Sequence, residues 1–126
     1  MKRFLVLVTI SILAVCLISG CAGGGEATTY TDPTKTITTG VNQEFVVALD
    51  HDPTTTYDWE ESHDASMLNL VSKETKPAEG VQVKPLETQH FRFKALKAGK
   101  TKITFLYKRP WELLPIKQLT FNIDVQ

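Results

Sequence analysis

From Lys35 onward the chain alternates apolar and polar residues with a period of two, the spacing of strands that bury one face. Gly, Pro and Asp divide this pattern into short runs. Thr36 to Thr39 predicts a first strand, ending at Gly40. Between Gln43 and Leu49, Phe45, Val47 and Leu49 alternate with Glu44, Val46 and Ala48. Tyr57 and Trp59 mark a third strand, with Asp58 and Glu60 on the opposite face. Met67 to Ser72 is a less regular fourth, and Val81 to Lys84 is a weak run cut off by Pro85. In Gln89 to Leu96, Phe91, Phe93 and Ala95 face one way; in Thr101 to Lys108, Ile103, Phe105 and Tyr107 do. Leu119, Phe121, Ile123 and Val125 close the series. No stretch carries a helical period, and no internal repeat occurs.

Short strands of this number predict an all-β fold, an immunoglobulin-like antiparallel β-sandwich of about seven or eight strands, with an open barrel as the alternative. Trp59 suits the buried tryptophan that such sandwiches often carry on their third strand. With the seven main strands lettered A to G in chain order, successive connections fall at alternate ends. The B–C loop (Asp50 to Thr56), the D–E loop (within Thr75 to Thr88) and the F–G loop (Lys108 to Pro115) then share one end. The Ala98-Gly99 turn lies at the other. Loops gathered on a rigid scaffold are a common means of binding another protein.

Two of these loops have unusual composition. In Asp52-Pro53-Thr54-Thr55-Thr56-Tyr57, Pro53 fixes its own φ and three β-branched threonines are stiff at χ1. Such a tip loses little freedom when something docks on it. Arg109-Pro110-Trp111 breaks the alternating pattern and combines the residue types that most often dominate protein interfaces. Composition alone leaves two places open for Trp111, exposed in the loop or folded back over the sandwich edge.

The first 34 residues read differently. Met1-Lys2-Arg3 is basic, Phe4 to Leu17 is apolar, and Ile18-Ser19-Gly20-Cys21 follows. This order is similar to a bacterial lipoprotein leader, with residues 1–20 removed and Cys21 lipidated. An apolar run of this length is short for a spanning helix. Residues 21–34, glycine-rich and polar, are expected to be a flexible tether to a domain at 35–126. The expected location is extracytoplasmic, on the periplasmic face or the cell surface, with the lipid as the membrane contact.

Composition narrows the chemistry. At 42% hydrophobic the chain is ordinary for a globular protein. Its 14 basic and 14 acidic residues balance, and losing Lys2 and Arg3 with a leader tips it slightly acidic, so nucleic acid is not an expected partner. Acidic residues from Asp50 to Asp64 and basic ones from Arg92 to Arg109 form two groups, read as two solvated strand faces. Cys16 and Cys21 are the 2 cysteines, so the domain after Cys21 holds no thiol for a disulfide, a metal site or a nucleophile. Ser62-His63-Asp64 lists the members of a hydrolytic triad, but adjacent residues cannot converge as a triad must. His51, His63 and His90 lack metal-ligand spacing. Glu60 and Glu61 point to opposite strand faces and cannot act together. No enzyme, metal or cofactor is expected, and the domain is expected to be a monomer.

The two loops together resemble those of chagasin-type inhibitors of papain-like cysteine peptidases. In that family the B–C loop reads Asn-Pro-Thr-Thr-Gly before an aromatic, where Asp52-Pro53-Thr54-Thr55-Thr56-Tyr57 stands here. The F–G loop carries Arg-Pro-Trp after a strand ending in an aromatic, matched by Tyr107-Lys108-Arg109-Pro110-Trp111. The resemblance spans about Lys35 to Gln126. It implies an immunoglobulin-like sandwich that plugs a papain-like peptidase cleft without a covalent bond. Thr54 would lie nearest the catalytic cysteine with Thr55 beside it, and Arg109 and Trp111 would clamp one side. Three departures stand out: Asp52 replaces asparagine, Thr56 replaces glycine, and Lys84-Pro85-Leu86-Glu87 stands where a glycine-rich D–E loop would be a third contact. The competing expectation is a surface lipoprotein whose sandwich binds carbohydrate or another envelope protein.

Overall fold

A computed structural model describes residues 27–77 and 87–126. Among these residues eight strands form two four-stranded sheets packed face to face. One sheet contains β1 (Thr28–Tyr30), β3 (Glu44–His51), β6 (Glu87–Ala95) and β5 (Leu68–Pro77), in that spatial order. The other contains β2 (Ile37–Thr39), β8 (Lys117–Val125), β7 (Gly99–Lys108) and β4 (Asp58–His63). Strands β2 to β8 are the seven predicted strands A to G, in a sandwich rather than a barrel. The weak run at Val81 to Lys84, the leader and Cys21 lie outside the described residues.

The inward residues of the alternating runs make the core. Phe45, Phe91, Phe93, Phe105 and Phe121 are all essentially inaccessible to solvent. Phe45 stacks on Phe93 at 5.6 Å, and Phe91 meets Phe105 of the opposite sheet edge-on at 5.0 Å. Edge-to-face and offset pairs are the favoured aromatic geometries, so the rings join the two sheets as well as filling the space between them.

Three expectations need correction. The pairings are not all antiparallel: β1 runs parallel to β3, and β2 parallel to β8. Both are edge strands of three residues, and the chain crosses between the sheets from β1 to β2 and again from β2 to β3. Second, the expected tether at 21–34 is structured in part, since Thr28–Tyr30 is β1. Its threonines and tyrosine are good strand formers. Tyr30 also packs edge-on against Phe45 at 6.5 Å, and β1 supplies partners for the edge of β3. Third, the acidic and basic groups are not separate faces. Strands β4 and β7 are neighbours, with Asp58 opposite Lys108, and Lys108 Nζ lies 3.6 Å from Glu60.

The irregular fourth run has a physical cause. A β-bulge between Leu70 and Ser72 shifts the register of β5 against β6. Leu68 and Leu70, before the bulge, oppose Ala95 and Phe93; after it, Lys73 opposes Phe91. The extra residue thus puts odd-numbered side chains on the sheet face that even-numbered ones had held. Lys73 lies over the Phe91 ring at 5.4 Å and donates to the Trp59 carbonyl across the seam between the sheets.

Candidate functional site

The register places the predicted loops. His51 ends β3, Asp58 begins β4 and Lys108 ends β7 opposite Asp58, so the 52–57 and 109–116 loops leave from one pole. Pro77 and Glu87, the roots of the 78–86 connection, pair with each other there, and Glu87 also pairs with His51. The Ala98-Gly99 turn is at the opposite pole, where Gly99 has φ +139°, a conformation that favours glycine. Of the expected D–E contact, Lys84, Pro85 and Leu86 lie outside the described residues. Glu87 is not in a loop: it is the first residue of β6, drawn into the strand by its pairing with both His51 and Pro77.

Local hydrogen bonds shape the first tip. Asp52 Oδ1 accepts from the Thr54 N–H at 2.9 Å and from its hydroxyl at 2.6 Å. The Asp52 carbonyl accepts from the Thr55 N–H at 3.2 Å and the Thr55 hydroxyl at 3.0 Å. The Thr55 hydroxyl in turn accepts from the Tyr57 N–H at 3.3 Å. Asp and Thr side chains commonly close turns this way, and Pro53 is suited to the position after the aspartate. Among the described residues Asn42 is the only non-glycine with positive φ, so Thr56 needs no left-handed backbone here. Pro53, Thr54, Thr55 and Thr56 are exposed.

The second tip is a turn from Arg109 to Glu112, closed by the Glu112 N–H donating to the Arg109 carbonyl at 3.1 Å. Pro110 occupies the second turn position, for which its fixed φ is suited. Lys108 Nζ donates to the Glu112 carbonyl at 2.8 Å, and the Ile116 N–H returns to the Tyr107 carbonyl at 2.9 Å. Trp111, at the apex, is 69% exposed. The indole therefore stands in solvent and does not fold over the sandwich edge.

A column of rings connects both tips to the core. Trp59 is buried and meets Phe105 edge-on. Tyr107 lies 4.7 Å from Trp59, Tyr57 lies 5.6 Å from Tyr107, and the Arg109 guanidinium caps Tyr57 at 4.4 Å. Arg109 also donates from Nε to the Thr56 hydroxyl at 2.9 Å and from Nη1 to Glu112 Oε1 at 3.0 Å. One planar cation thus touches both loops and an aromatic of the column, a task its fork of donors allows. In the free protein Arg109 braces the two tips against each other.

Polar groups fix the base of the first loop. The Trp59 indole donates to the Asp50 carbonyl at 2.8 Å. His51 is flanked by two acceptors, Glu87 Oε2 at 3.3 Å from Nδ1 and the Tyr57 carbonyl at 3.1 Å from Nε2. Asp58 joins the sheets: its Oδ1 accepts from the buried Gln89 amide at 2.7 Å and from the Trp59 N–H at 2.9 Å, and Lys73 approaches its Oδ2. The bulge-directed Lys73, Gln89 and His51 are supporting residues that sequence reading misses, because their roles depend on pairings between distant strands.

Burial pushes the Asp58 pKa up, but the Gln89 hydrogen bond, the Lys73 charge and the Trp59 N–H outweigh it and hold the carboxyl below its ordinary value of 3.8. A depressed carboxylate adds stability that is present above its unfolded pKa and lost as pH falls through the folded one. Thermal melts between pH 7 and pH 2 are expected to fall off below about pH 4, less steeply in Asp58→Asn than in the parent. Half the side chain faces water, so the difference should be no more than about 1 kcal/mol.

Residues 38–125 match the model of the family described as chagasin family peptidase inhibitor I42. The chain belongs to that family. It is therefore grouped with peptidase inhibitors, not with enzymes. Solved structures agree on the fold. A cysteine protease inhibitor from Entamoeba histolytica, EhICP2, is 23% identical with a TM-score of 0.65, over 82% of this chain and 100% of that one. Amebosin, solved in solution, is 25% identical with a TM-score of 0.64, over 81% of this chain and 100% of its own. No curated protein matches the chain. About four-fifths of this chain spans the full length of each of these two solved chains. Among the described residues of this chagasin-family protein, no group of three or more His, Cys, Asp or Glu could hold a metal ion.

Proposed function

We propose that this protein inhibits papain-like cysteine peptidases by occupying the catalytic cleft without a covalent bond. The observation that carries this is the pair of exposed tips at one pole, braced together through Arg109 to Thr56 and Tyr57, in a chain of the chagasin family. Thr54 and Thr55 are exposed in the middle of the first tip and would enter the cleft beside the catalytic cysteine. Trp111 would pack against one wall. Family membership supports peptidase inhibition, and the resemblance of the two loop sequences supports the papain-like class.

The local bonds explain why such a tip would block a peptidase without being cut. Peptidases act on extended chains, and the 52–55 backbone is folded onto its own aspartate. Opening it would break the bonds to Asp52 and pull against the Arg109 brace. The tips are already ordered, so little conformational entropy is lost on docking.

The test is titration of papain with the protein purified from residue 22 onward. Loss of peptidase activity at or below micromolar inhibitor is expected; full activity there would refute the proposal. Thr54→Arg places a long charged side chain at the exposed tip. It is expected to weaken inhibition about 100-fold or more with little change in melting temperature.

We further propose that residues 1–20 are a leader and that Cys21 carries lipid, placing the inhibitor outside the cytoplasm. The support is the order of charge, apolar run and small residues before Cys21.

A further inference from the structure

Beyond Trp111 the second loop continues as Leu113-Leu114-Pro115-Ile116. Leu113 is 93% exposed, Leu114 80% and Ile116 60%. Among the described residues, the other large exposed hydrophobics outside this loop, Val41, Val71 and Leu96, are only 40–45% exposed and lie on separate elements. The loop therefore concentrates exposed apolar side chains on one short segment, a feature that marks interaction surfaces. Nor is the segment loose. Lys108 holds the Glu112 carbonyl at its start, and the Ile116 N–H is tied to the Tyr107 carbonyl at its end.

We infer that Leu113 and Leu114 form a second contact with the inhibited peptidase, seating on an apolar surface beside the cleft and selecting which peptidases are bound tightly. This rests on the inhibitor reading above and names the residues that tune it. The leucines continue the Trp111 turn, which shares its pole and its Arg109 brace with the threonine tip. A peptidase engaged by both tips would bring its cleft rim against this segment.

The fold favours a peptidase over a lipid surface as the occupant. Thr28 pairs with Phe45, near the end of β3 away from the Asp52 tip. The chain before β1 thus joins the domain at the pole opposite the leucines, and a lipid at Cys21 would direct them away from its membrane. Two of the basic neighbours are also engaged within the protein: Arg109 bonds Glu112, and Lys108 lies 3.6 Å from Glu60 and donates to the Glu112 carbonyl. A loop that enters anionic bilayers would gain from basic side chains turned to the lipid instead.

The test compares the parent with a Leu113→Ser/Leu114→Ser variant, both purified from residue 22 onward, against a panel of papain-like peptidases. Inhibition constants should rise at least about 10-fold for the most tightly bound peptidases and much less for the weakest, flattening selectivity. Inhibition should still reach completion at saturation, since the threonine tip is intact. Both side chains are exposed, so the melting temperature should stay within about 3 °C. If the parent inhibits and the variant has unchanged constants across the panel, the inference is wrong while the inhibitor reading stands. If the parent inhibits none of the panel, both fall. Two further measurements identify rival occupants: sedimentation with phosphatidylglycerol vesicles, and ultracentrifugation for self-association. Vesicle binding or dimerisation lost in the variant, with inhibition constants unchanged, would assign the leucines to a bilayer or to a second copy and overturn the peptidase contact.

Discussion

Trp59→Ala is expected to lower stability by about 3–5 kcal/mol, the range for removing a large aromatic from a core. Trp59 is 3% exposed and its ring meets both Phe105 and Tyr107. Alanine would leave a cavity at the base of the ring column and strip the Asp50 carbonyl of its indole donor. A loss of this size is a large part of the total for a small domain. Denaturant titration should show the midpoint moving far down, and a change below about 1 kcal/mol would mean that the column does not depend on this ring. Trp59→Phe separates the two contributions. It retains most of the packing but not the hydrogen bond, and should cost only about 1–2 kcal/mol. Because Tyr107 and Tyr57 rest on Trp59 in sequence, the alanine variant should also weaken inhibition at temperatures where it remains folded.

Trp111→Ala should do the reverse. The side chain is 69% exposed at the apex of its turn, so removing it takes little from the fold, within about 0.5 kcal/mol. If Trp111 is the anchor proposed here, inhibition should weaken by about 2–4 kcal/mol, or roughly 30- to 1,000-fold. The closing bond of the turn and the Lys108 support involve backbone carbonyls and survive the substitution. A parent-like inhibition constant would remove Trp111 from the interface. A fall in melting temperature would show that the indole packs on the sandwich in solution. The two tryptophans thus divide the labour: one is measured by unfolding, the other by inhibition.

Much of this arrangement is legible in the chain because strand periodicity is local. Phe45, Phe91, Phe93, Phe105, Phe121 and Trp59 all sit at inward positions of runs visible without a structure, and all are buried. The common pole of the two tips follows from counting strands. What is not legible depends on partners far apart in sequence. Thr28–Tyr30 lies among glycine-rich and polar residues and reads as linker; only the open edge of β3 makes it a strand. Glu87 reads as loop because its partner His51 is 36 residues away. The Leu70/Ser72 bulge appears in the sequence only as lost regularity, yet it decides that Lys73 crosses to Asp58 and Trp59. Arg109 is recognisable as an interface residue, but its bond to Thr56 requires two loops 53 residues apart to meet. Leu113 and Leu114 carry a signal that could be read earlier: an apolar run between prolines, outside any alternating strand.

The parallel pairing of β1 with β3 has a mechanical side. If Cys21 carries the lipid proposed above and an inhibited peptidase drags on the opposite pole, tension would draw β1 and β3 lengthwise past each other in opposite directions. Their ladder would then be loaded in shear, all rungs together, rather than peeled apart rung by rung. Tyr30, keyed against Phe45, resists the same slide. Short as it is, β1 is oriented so that a load of that kind would have to break all of its pairings with β3 at once.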